Sequence, residues 1–211
     1  MDVLDIFPTP VGIHNLSRKL TREEIAVLND ARDNTYPNGG GNLTTVNTYI
    51  LEIDELLDLK NLLTKYVNDY FKQVFNPNTE MELYITQSWL NINDNGTGHH
   101  PHKHPNSLLS CVYYIESYDG DQITFLNPNN NFLGNISVSS DNPSRWCSYD
   151  LNIPALKNHL LIFPSELCHM VPKRPNTQNG TRVSLSFNTW FKGEISKMKN
   201  LSYLKSSHQI T

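Results

Sequence analysis

The chain has 211 residues, a length that suits one domain or one domain with a helical appendage. Its net charge of −4, with no block of lysine and arginine, argues against a dedicated nucleic-acid binder. Three cysteines without a CxxC spacing argue against a disulfide scaffold. The sequence also has no apolar run long enough for a membrane span and no signal-peptide pattern at its start. We therefore expect a cytoplasmic protein.

The first 80 residues predict a helical support region. A short strand is expected within residues 3–16, around two prolines. Thr21 and Glu24 occupy the N-cap and N3 positions of a capping box, which predicts a helix directly after Thr21. Apolar residues then recur at helical spacing after Asp54, so we expect Asp54 to cap a second helix that ends near Phe75.

From residue 81 onwards the hydrophobic period changes from helical spacing to two, which indicates β-strands. The predicted strands are 82–93, 107–115, 122–126, 160–164, 170–171 and 182–191. Two helices followed by about seven strands favour an antiparallel barrel or sandwich with the helices on one side.

The chain shows neither an internal repeat nor a clean domain boundary. We therefore expect a single domain over residues 1–211, with the support region at 1–80, the β core at 81–192 and a polar tail at 193–211. Residues 127–150 are rich in Asn, Ser and Pro, which predicts a long loop able to cover a site.

A cluster of histidines precedes the strand predicted at 107–115. Four of the eight histidines lie within residues 99–104. His102 and His104 are two residues apart, so on an extended chain their side chains share a face about 7 Å apart and can converge on one metal ion. His169, which follows an apolar strand and a turn, is the candidate for a third ligand from a distant strand.

A candidate anion anchor follows on the last predicted strand. Arg182 and Ser184 share one face of that strand. An arginine can bind a carboxylate through two parallel hydrogen bonds, and a nearby hydroxyl can add a third. The sequence therefore predicts a metal site with a carboxylate-binding group beside it.

At these residues the sequence resembles the iron(II)/2-oxoglutarate-dependent oxygenases, in the prolyl-hydroxylase-like branch, and most closely the small members common in marine phages and bacteria. The resemblance is strong over residues 80–192 and looser before them. The segments that carry it are Trp89-Leu90-Asn91, His102-Lys103-His104-Pro105-Asn106-Ser107, Leu109-Ser110-Cys111-Val112-Tyr113-Tyr114, Phe163-Pro164-Ser165 with His169, and Arg182-Val183-Ser184 continuing into Ser186-Phe187-Asn188.

The resemblance implies a mainly β fold with flanking α, a double-stranded β-helix (jelly roll) with two N-terminal helices packed on one side. It implies Fe(II) as the metal, with 2-oxoglutarate and O2 as cosubstrates. By position, His102 and His169 would be metal ligands. Arg182 and Ser184 would hold the distal carboxylate of 2-oxoglutarate, and Tyr114 could also reach this cosubstrate.

One position departs from the family pattern. The residue two after the first histidine ligand is usually Asp or Glu, and here it is His104. Two arrangements remain open: a three-histidine site of His102, His104 and His169, which we favour, or a shifted site with His104 first and Asn106 as the alternative second ligand.

The function predicted from these residues is hydroxylation of a C–H bond in a protein side chain or a small molecule, with decarboxylation of 2-oxoglutarate to succinate. Two alternatives stay open: a three-histidine dioxygenase that does not use 2-oxoglutarate, and a non-catalytic jelly-roll protein that binds metal or has a structural role. We expect neither a membrane partner nor dedicated nucleic-acid binding. A homodimer is an open option, and for a phage-encoded member the location would be the host cytoplasm.

Overall fold

The computed structural model describes residues 1–77, 80–128, 144, 146–177, 180–195 and 202–204. Within them the protein is mainly β, as predicted. The two described α-helices are α1 (Arg22–Arg32) and α2 (Leu57–Phe75). The described strands are β1 (Gly12–Asn15), β2 (Thr35–Pro37), β3 (Leu43–Thr45), β4 (Glu82–Asn93), β5 (His99–His102), β6 (Leu109–Glu116), β7 (Gln122–Leu126), β8 (Asp150–Pro154), β9 (His159–Pro164), β10 (His169–Val171), β11 (Arg182–Ile195) and β12 (Ser202–Leu204).

Helix α1 begins with the predicted capping box. The Thr21 hydroxyl accepts a hydrogen bond from the backbone N–H of Glu24, and the Glu24 carboxylate accepts one from the backbone N–H of Thr21. Two of the N–H groups that a helix start leaves without an intrahelical partner are thereby satisfied. Leu28, on the inner face, is fully buried.

The start of α2 differs from the prediction. Asp54 does not cap it: a 3-10 turn covers Asp54–Leu56, and α2 begins at Leu57. Ile50, Leu51 and Leu56 are all fully buried. Burial of these side chains, rather than a capping side chain, therefore holds the segment that leads into the helix. The helix ends as expected at Phe75, where Asn76 adopts a left-handed conformation with φ 42°.

The larger sheet contains most of the strands, in the order β1-β9-β6-β11-β4-β3-β2, with β12 paired to β11. Strand β11 lies between β6 and β4 and separates two environments. Its Val183, Leu185 and Phe187 face a core that both helices share. The residues that alternate with them, including Arg182 and Ser184, point to the opposite face, because successive side chains alternate along a strand.

The smaller sheet, in the order β5-β10-β7-β8, covers that opposite face. A second apolar cluster packs between the sheets and joins Leu161 and Phe163 of β9 to Ile123 and Phe125 of β7. In β10, His169 pairs in register with His102 of β5 on one side and with Phe125 on the other. The strand pairing therefore brings the two distant histidines together at the edge of this cluster.

Several strands were not predicted, namely β2, β3, β5, β8 and β12. The strand expected within residues 3–16 is confined to β1, and Ile6 before it is exposed. The predicted loop at 127–150 lies largely outside the described residues, as does most of the tail from residue 193. None of the described helices is both long and apolar enough to cross a membrane.

Candidate active site

A cavity lies between the two sheets, at the end of the apolar cluster. Its described lining contains histidine, asparagine, serine, aromatic and aliphatic side chains and one arginine, and no Asp or Glu. The lining residues are Asn42, Trp89, Asn91, Asn93, His99, His102, His104, Val112, Tyr114, Ile123, His169, Val171, Arg182, Ser184 and Ser186.

Three of the predicted ligands converge in this cavity. His102 ends β5, His104 follows it, and His169 begins β10. One ring nitrogen from each lies within 4.8 Å of the other two, which suits a shared metal ion. The backbone N–H of His104 donates to the carbonyl of Ser165, 3.1 Å away, and so fixes the chain after β5.

Hydrogen bonds orient all three imidazoles in the same way. The Nδ1 atom of His102 lies 2.8 Å from the His100 carbonyl, and that of His169 lies 3.0 Å from the Leu167 carbonyl. The Nδ1 atom of His104 lies 2.9 Å from Asn188 Oδ1. Oxygen acceptors require Nδ1 to carry the proton, so each Nε2 keeps its lone pair free for a metal.

Burial keeps these imidazoles neutral. Removal from water, with repulsion from His102, lowers the pKa of His169 to about 3 and that of His104 to about 4. Burial likewise lowers the pKa of His102. A metal at neutral pH would therefore not compete with protons for these nitrogens.

Arg182 lines the cavity and is 3% exposed. Its Nη2 donates to Asn93 Oδ1 at 2.8 Å, and its Nη1 donates to the Gln122 carbonyl at 3.2 Å. In the described part of the chain, Arg182 Nε and Asn93 Nδ2 are buried donors without an acceptor. Ser184, two residues along β11, lines the same cavity. Unsatisfied donors in a buried site are costly unless a ligand accepts from them.

The buried carboxylate of Asp121 is paired with another arginine rather than with Arg182. Asp121 forms a buried ion pair with Arg174, whose Nε lies 2.8 Å from Asp121 Oδ1. This pair is almost fully removed from water, and the carboxylate is already matched by a cation. The field of Arg182 therefore remains available to an anion in the cavity.

The two remaining predicted residues lie in different places. Tyr114 is buried and lines the cavity, and burial raises its pKa to about 12, so its hydroxyl stays protonated. Asn106 occupies an exposed turn with φ 58° and is absent from the cavity lining. The structure thus brings His102, His104 and His169 together and leaves the alternative ligand Asn106 outside.

Sequence reasoning missed several residues of the site. Asn93 holds Arg182, and Asn188 holds His104, while His99 stacks on His102 with ring centroids 4.0 Å apart. One signal was available: Asn188 continues the every-second-residue series that starts at Arg182 and Ser184. Nothing local marks Asn93, because its contact depends on the pairing of β4 with β11.

The donor set fits a divalent metal ion. Three neutral imidazoles face one another, and Nε2 of His104 is buried without a hydrogen-bond partner among the described residues. Imidazole nitrogen is a ligand for iron(II), nickel(II) and zinc(II) alike. The unpartnered nitrogen is an observation that a bound metal would explain.

Comparison with protein families gives a match. Residues 87–188 match a family model described as "Putative 2OG-Fe(II) oxygenase". This segment contains the three histidines, Arg182 and Ser184. The match confirms the resemblance on which the prediction of a 2-oxoglutarate-dependent dioxygenase rests, with Fe(II), 2-oxoglutarate and O2 as the cofactors of that family. No curated protein sequence matches the chain.

Solved structures share the fold at low sequence identity. A Pseudomonas putida prolyl-4-hydroxylase matches with a TM-score of 0.55 and 14% identity over 85% of this chain and 92% of that one. HygX from Streptomyces hygroscopicus, solved with nickel, 2-oxoglutarate and hygromycin B, matches with a TM-score of 0.56 and 11% identity over 86% of this chain and 82% of that one. The viral collagen prolyl hydroxylase of Paramecium Bursaria Chlorella virus-1, solved with 2-oxoglutarate, matches with a TM-score of 0.52 and 11% identity over 85% of this chain and 94% of that one. These likenesses establish a 2OG oxygenase fold.

We expect Asn188→Ala to weaken metal binding by about 10–100-fold, because the substitution removes the acceptor that fixes the His104 ring. Asn188→Asp keeps an acceptor and should restore most of the affinity. Calorimetric titration with Ni(II) measures both. Ser110→Ala is the matched control, since it removes the other hydrogen bond to Asn188 Oδ1 and leaves that to His104. If Asn188→Ala bound Ni(II) as tightly as the wild type, the proposal that Asn188 orients a metal-binding His104 would be contradicted.

The metal-free protein should lose stability as the pH falls from about 6.5 towards about 4. In that interval the unfolded chain binds protons on histidines that the fold keeps neutral, so the free energy of unfolding decreases. Urea unfolding in the presence of a chelator, at about pH 7 and about pH 5, measures the loss. His104→Gln removes one of the shifted groups and should show a smaller loss than wild type; an equal loss would count against the pKa shift.

Proposed function

We propose that this chain, which resembles the 2OG-Fe(II) oxygenase family over residues 87–188, uses the cavity between its sheets to hydroxylate a C–H bond of an organic substrate. The observation that supports this most strongly is that one cavity contains three imidazoles with a ring nitrogen free for a metal and an arginine with an unpartnered donor.

His102, His104 and His169 would hold Fe(II) in this proposal. When bound, Fe(II) supplies the activation of O2 that is coupled to decarboxylation of 2-oxoglutarate to succinate. The residues of the chain present three Nε2 lone pairs at fixed positions, because each Nδ1 proton is held by an oxygen acceptor. Asn106 has no part in the proposed ligand set, since its exposed turn keeps it away from the cavity.

The cosubstrate site would be the part of the cavity that Arg182 lines. Arg182 would pair with the distal carboxylate of 2-oxoglutarate, with further hydrogen bonds from Asn93 Nδ2 and Ser184 Oγ. Tyr114, buried beside them and protonated, is placed to donate as well. A dianion suits this site, because the lining described above holds a guanidinium, neutral imidazoles and no carboxylate.

The substrate would approach past Trp89 and a row of amide and hydroxyl groups. Trp89 stacks on His104, with ring centroids 5.8 Å apart. Asn91 donates to Ser186 Oγ at 2.9 Å and lies 3.4 Å from the Asn42 amide. Such a wall suits a polar organic substrate, either a protein side chain or a small molecule. Proteins of this fold include both a prolyl-4-hydroxylase and one solved with hygromycin B.

The first test is turnover. Wild-type protein with Fe(II), ascorbate, O2 and 2-oxoglutarate should form succinate, even without substrate, by slow uncoupled decarboxylation. His169→Ala removes one of three ligands and should abolish this product, whereas His100→Ala should retain it, because His100 is exposed and absent from the cavity lining. Succinate is quantified by mass spectrometry.

The alternatives give different results in this assay and in an anaerobic titration. Binding of 2-oxoglutarate to Fe(II) protein without O2 should produce a metal-to-ligand absorption band in the visible. A protein that binds iron but shows neither the band nor succinate would be a three-histidine dioxygenase that does not use 2-oxoglutarate, or a non-catalytic protein. Failure to bind any divalent ion would leave only the second of these.

Asn93→Asp should weaken 2-oxoglutarate binding by about tenfold or more, because a carboxylate 2.8 Å from the guanidinium would take the place of the cosubstrate. Affinity for Ni(II) should change little, since Asn93 contacts Arg182 and none of the three imidazoles. The anaerobic absorption band measures the first quantity and calorimetry the second. Asn95→Asp, at an exposed neighbouring position, is the matched control. If Asn93→Asp and Asn95→Asp weakened 2-oxoglutarate binding equally, the proposal that Arg182 binds its carboxylate would be contradicted.

A further inference from the structure

A second cavity, of about 440 Å³, lies on the other face of the larger sheet. Helix α1 and the segment before it form one wall, and β6 with the turn before β9 forms the other. Strand β6 separates the two cavities: Val112 and Tyr114 line the first, and Tyr113 and Ile115 line the second. Alternation along one strand therefore gives each cavity its own side chains.

Part of the lining of the second cavity is apolar, and we call this part its floor. It consists of Leu20, Ile25, Leu28, Ile115 and the ring of Tyr113. The Tyr113 hydroxyl does not add a free polar group, because it donates to Asn158 Oδ1 at 2.9 Å. The volume lies within the range of about 300–1,000 Å³ that is typical of small-molecule sites. An occupant needs an apolar body to match this floor.

The rim of the cavity is cationic, in a chain whose net charge is −4. Its basic residues are Arg18, Lys19, Arg32 and Lys157. The acids beside them are already paired: Glu24 with Arg18, and Glu116 with Arg32 at 3.2 Å. Lys19 and Lys157 are exposed and form no ion pair within the described residues, so two ammonium groups at the rim remain unmatched.

Arg32 supplies a further unmet donor. Its Nη2 pairs with Glu116, but its Nε is buried and has no hydrogen-bond partner in the described structure. A buried donor without an acceptor is costly, and an anionic group of a bound molecule would satisfy it. The apolar floor, the two unpaired lysines and this donor are therefore all complementary to a ligand with an apolar body and an anionic group.

We propose that the second cavity binds a small amphiphilic anion, with an aromatic or aliphatic body on the floor and a carboxylate or sulfonate at the rim. The site is independent of the metal cavity and of its reaction. 2-Oxoglutarate is a poor candidate here, because it has no apolar body to cover the floor.

The probes for this site are 1-anilinonaphthalene-8-sulfonate and its uncharged analogue N-phenyl-1-naphthylamine, whose fluorescence rises in apolar surroundings. The sulfonate should bind the folded protein and be insensitive to saturating Ni(II) and 2-oxoglutarate. The double variant Lys19→Ala/Lys157→Ala should weaken it by about fivefold or more through loss of two nearby charges, while the uncharged analogue should bind as before. The control Lys65→Ala/Lys103→Ala removes two exposed lysines elsewhere and should change neither probe.

A second variant tests the floor. Ile25→Gln, at a partly exposed position of α1, should weaken both probes, because it makes the floor polar. The proposal is overturned if the sulfonate binds wild type and Lys19→Ala/Lys157→Ala equally, or if 2-oxoglutarate with Ni(II) displaces it. Absence of sulfonate binding to the wild type would overturn it as well. These readouts do not depend on turnover, so failure of the oxygenase assignment would leave them unaffected.

Discussion

The alternation of side chains along β11 is the constraint that relates the fold to the chemistry. The strand is central in the larger sheet, and its apolar face completes the core beneath the helices through Val183, Leu185 and Phe187. The opposite face carries Arg182 and the polar residues that follow it. A shift of one residue in its pairing with β4 or β6 would exchange these faces and place the guanidinium in the apolar core. The same pairing that stabilises the core therefore places Arg182, the proposed anion anchor, in the cavity.

Strand pairing explains which parts of the site a single sequence reveals. The capping box of α1 and the bounds of β4 are local patterns, and the structure shows both as predicted. The predicted ligand histidines and Arg182 are recognisable because their chemistry is unusual for a buried face. Asn93 and Asn188 are ordinary amides, and each acquires its contact from a partner 84 to 89 residues away in the chain. Such contacts depend on register between strands, which residue type alone does not specify.

The incorrect predictions have a similar origin. Asp54 is a good N-cap residue by type, but buried Ile50, Leu51 and Leu56 determine where α2 begins. Tertiary burial outweighs a capping bond of about 1 kcal/mol when three large side chains are involved. Strands β2, β3 and β5 are only three or four residues long, and each is held by its neighbours in a sheet rather than by its own periodicity.

The histidine at position 104 alters the electrostatics of the proposed metal centre. A carboxylate ligand would neutralise part of the charge of a divalent ion, and a neutral imidazole does not. Arg182 adds a further positive charge, and the lining includes no acid to offset it. The dianionic cosubstrate would then be the principal negative charge in the cavity, so metal and 2-oxoglutarate would each favour the binding of the other, by an equal factor in both directions. We therefore expect the cavity to retain iron more tightly when 2-oxoglutarate is bound than the three histidines would retain it alone.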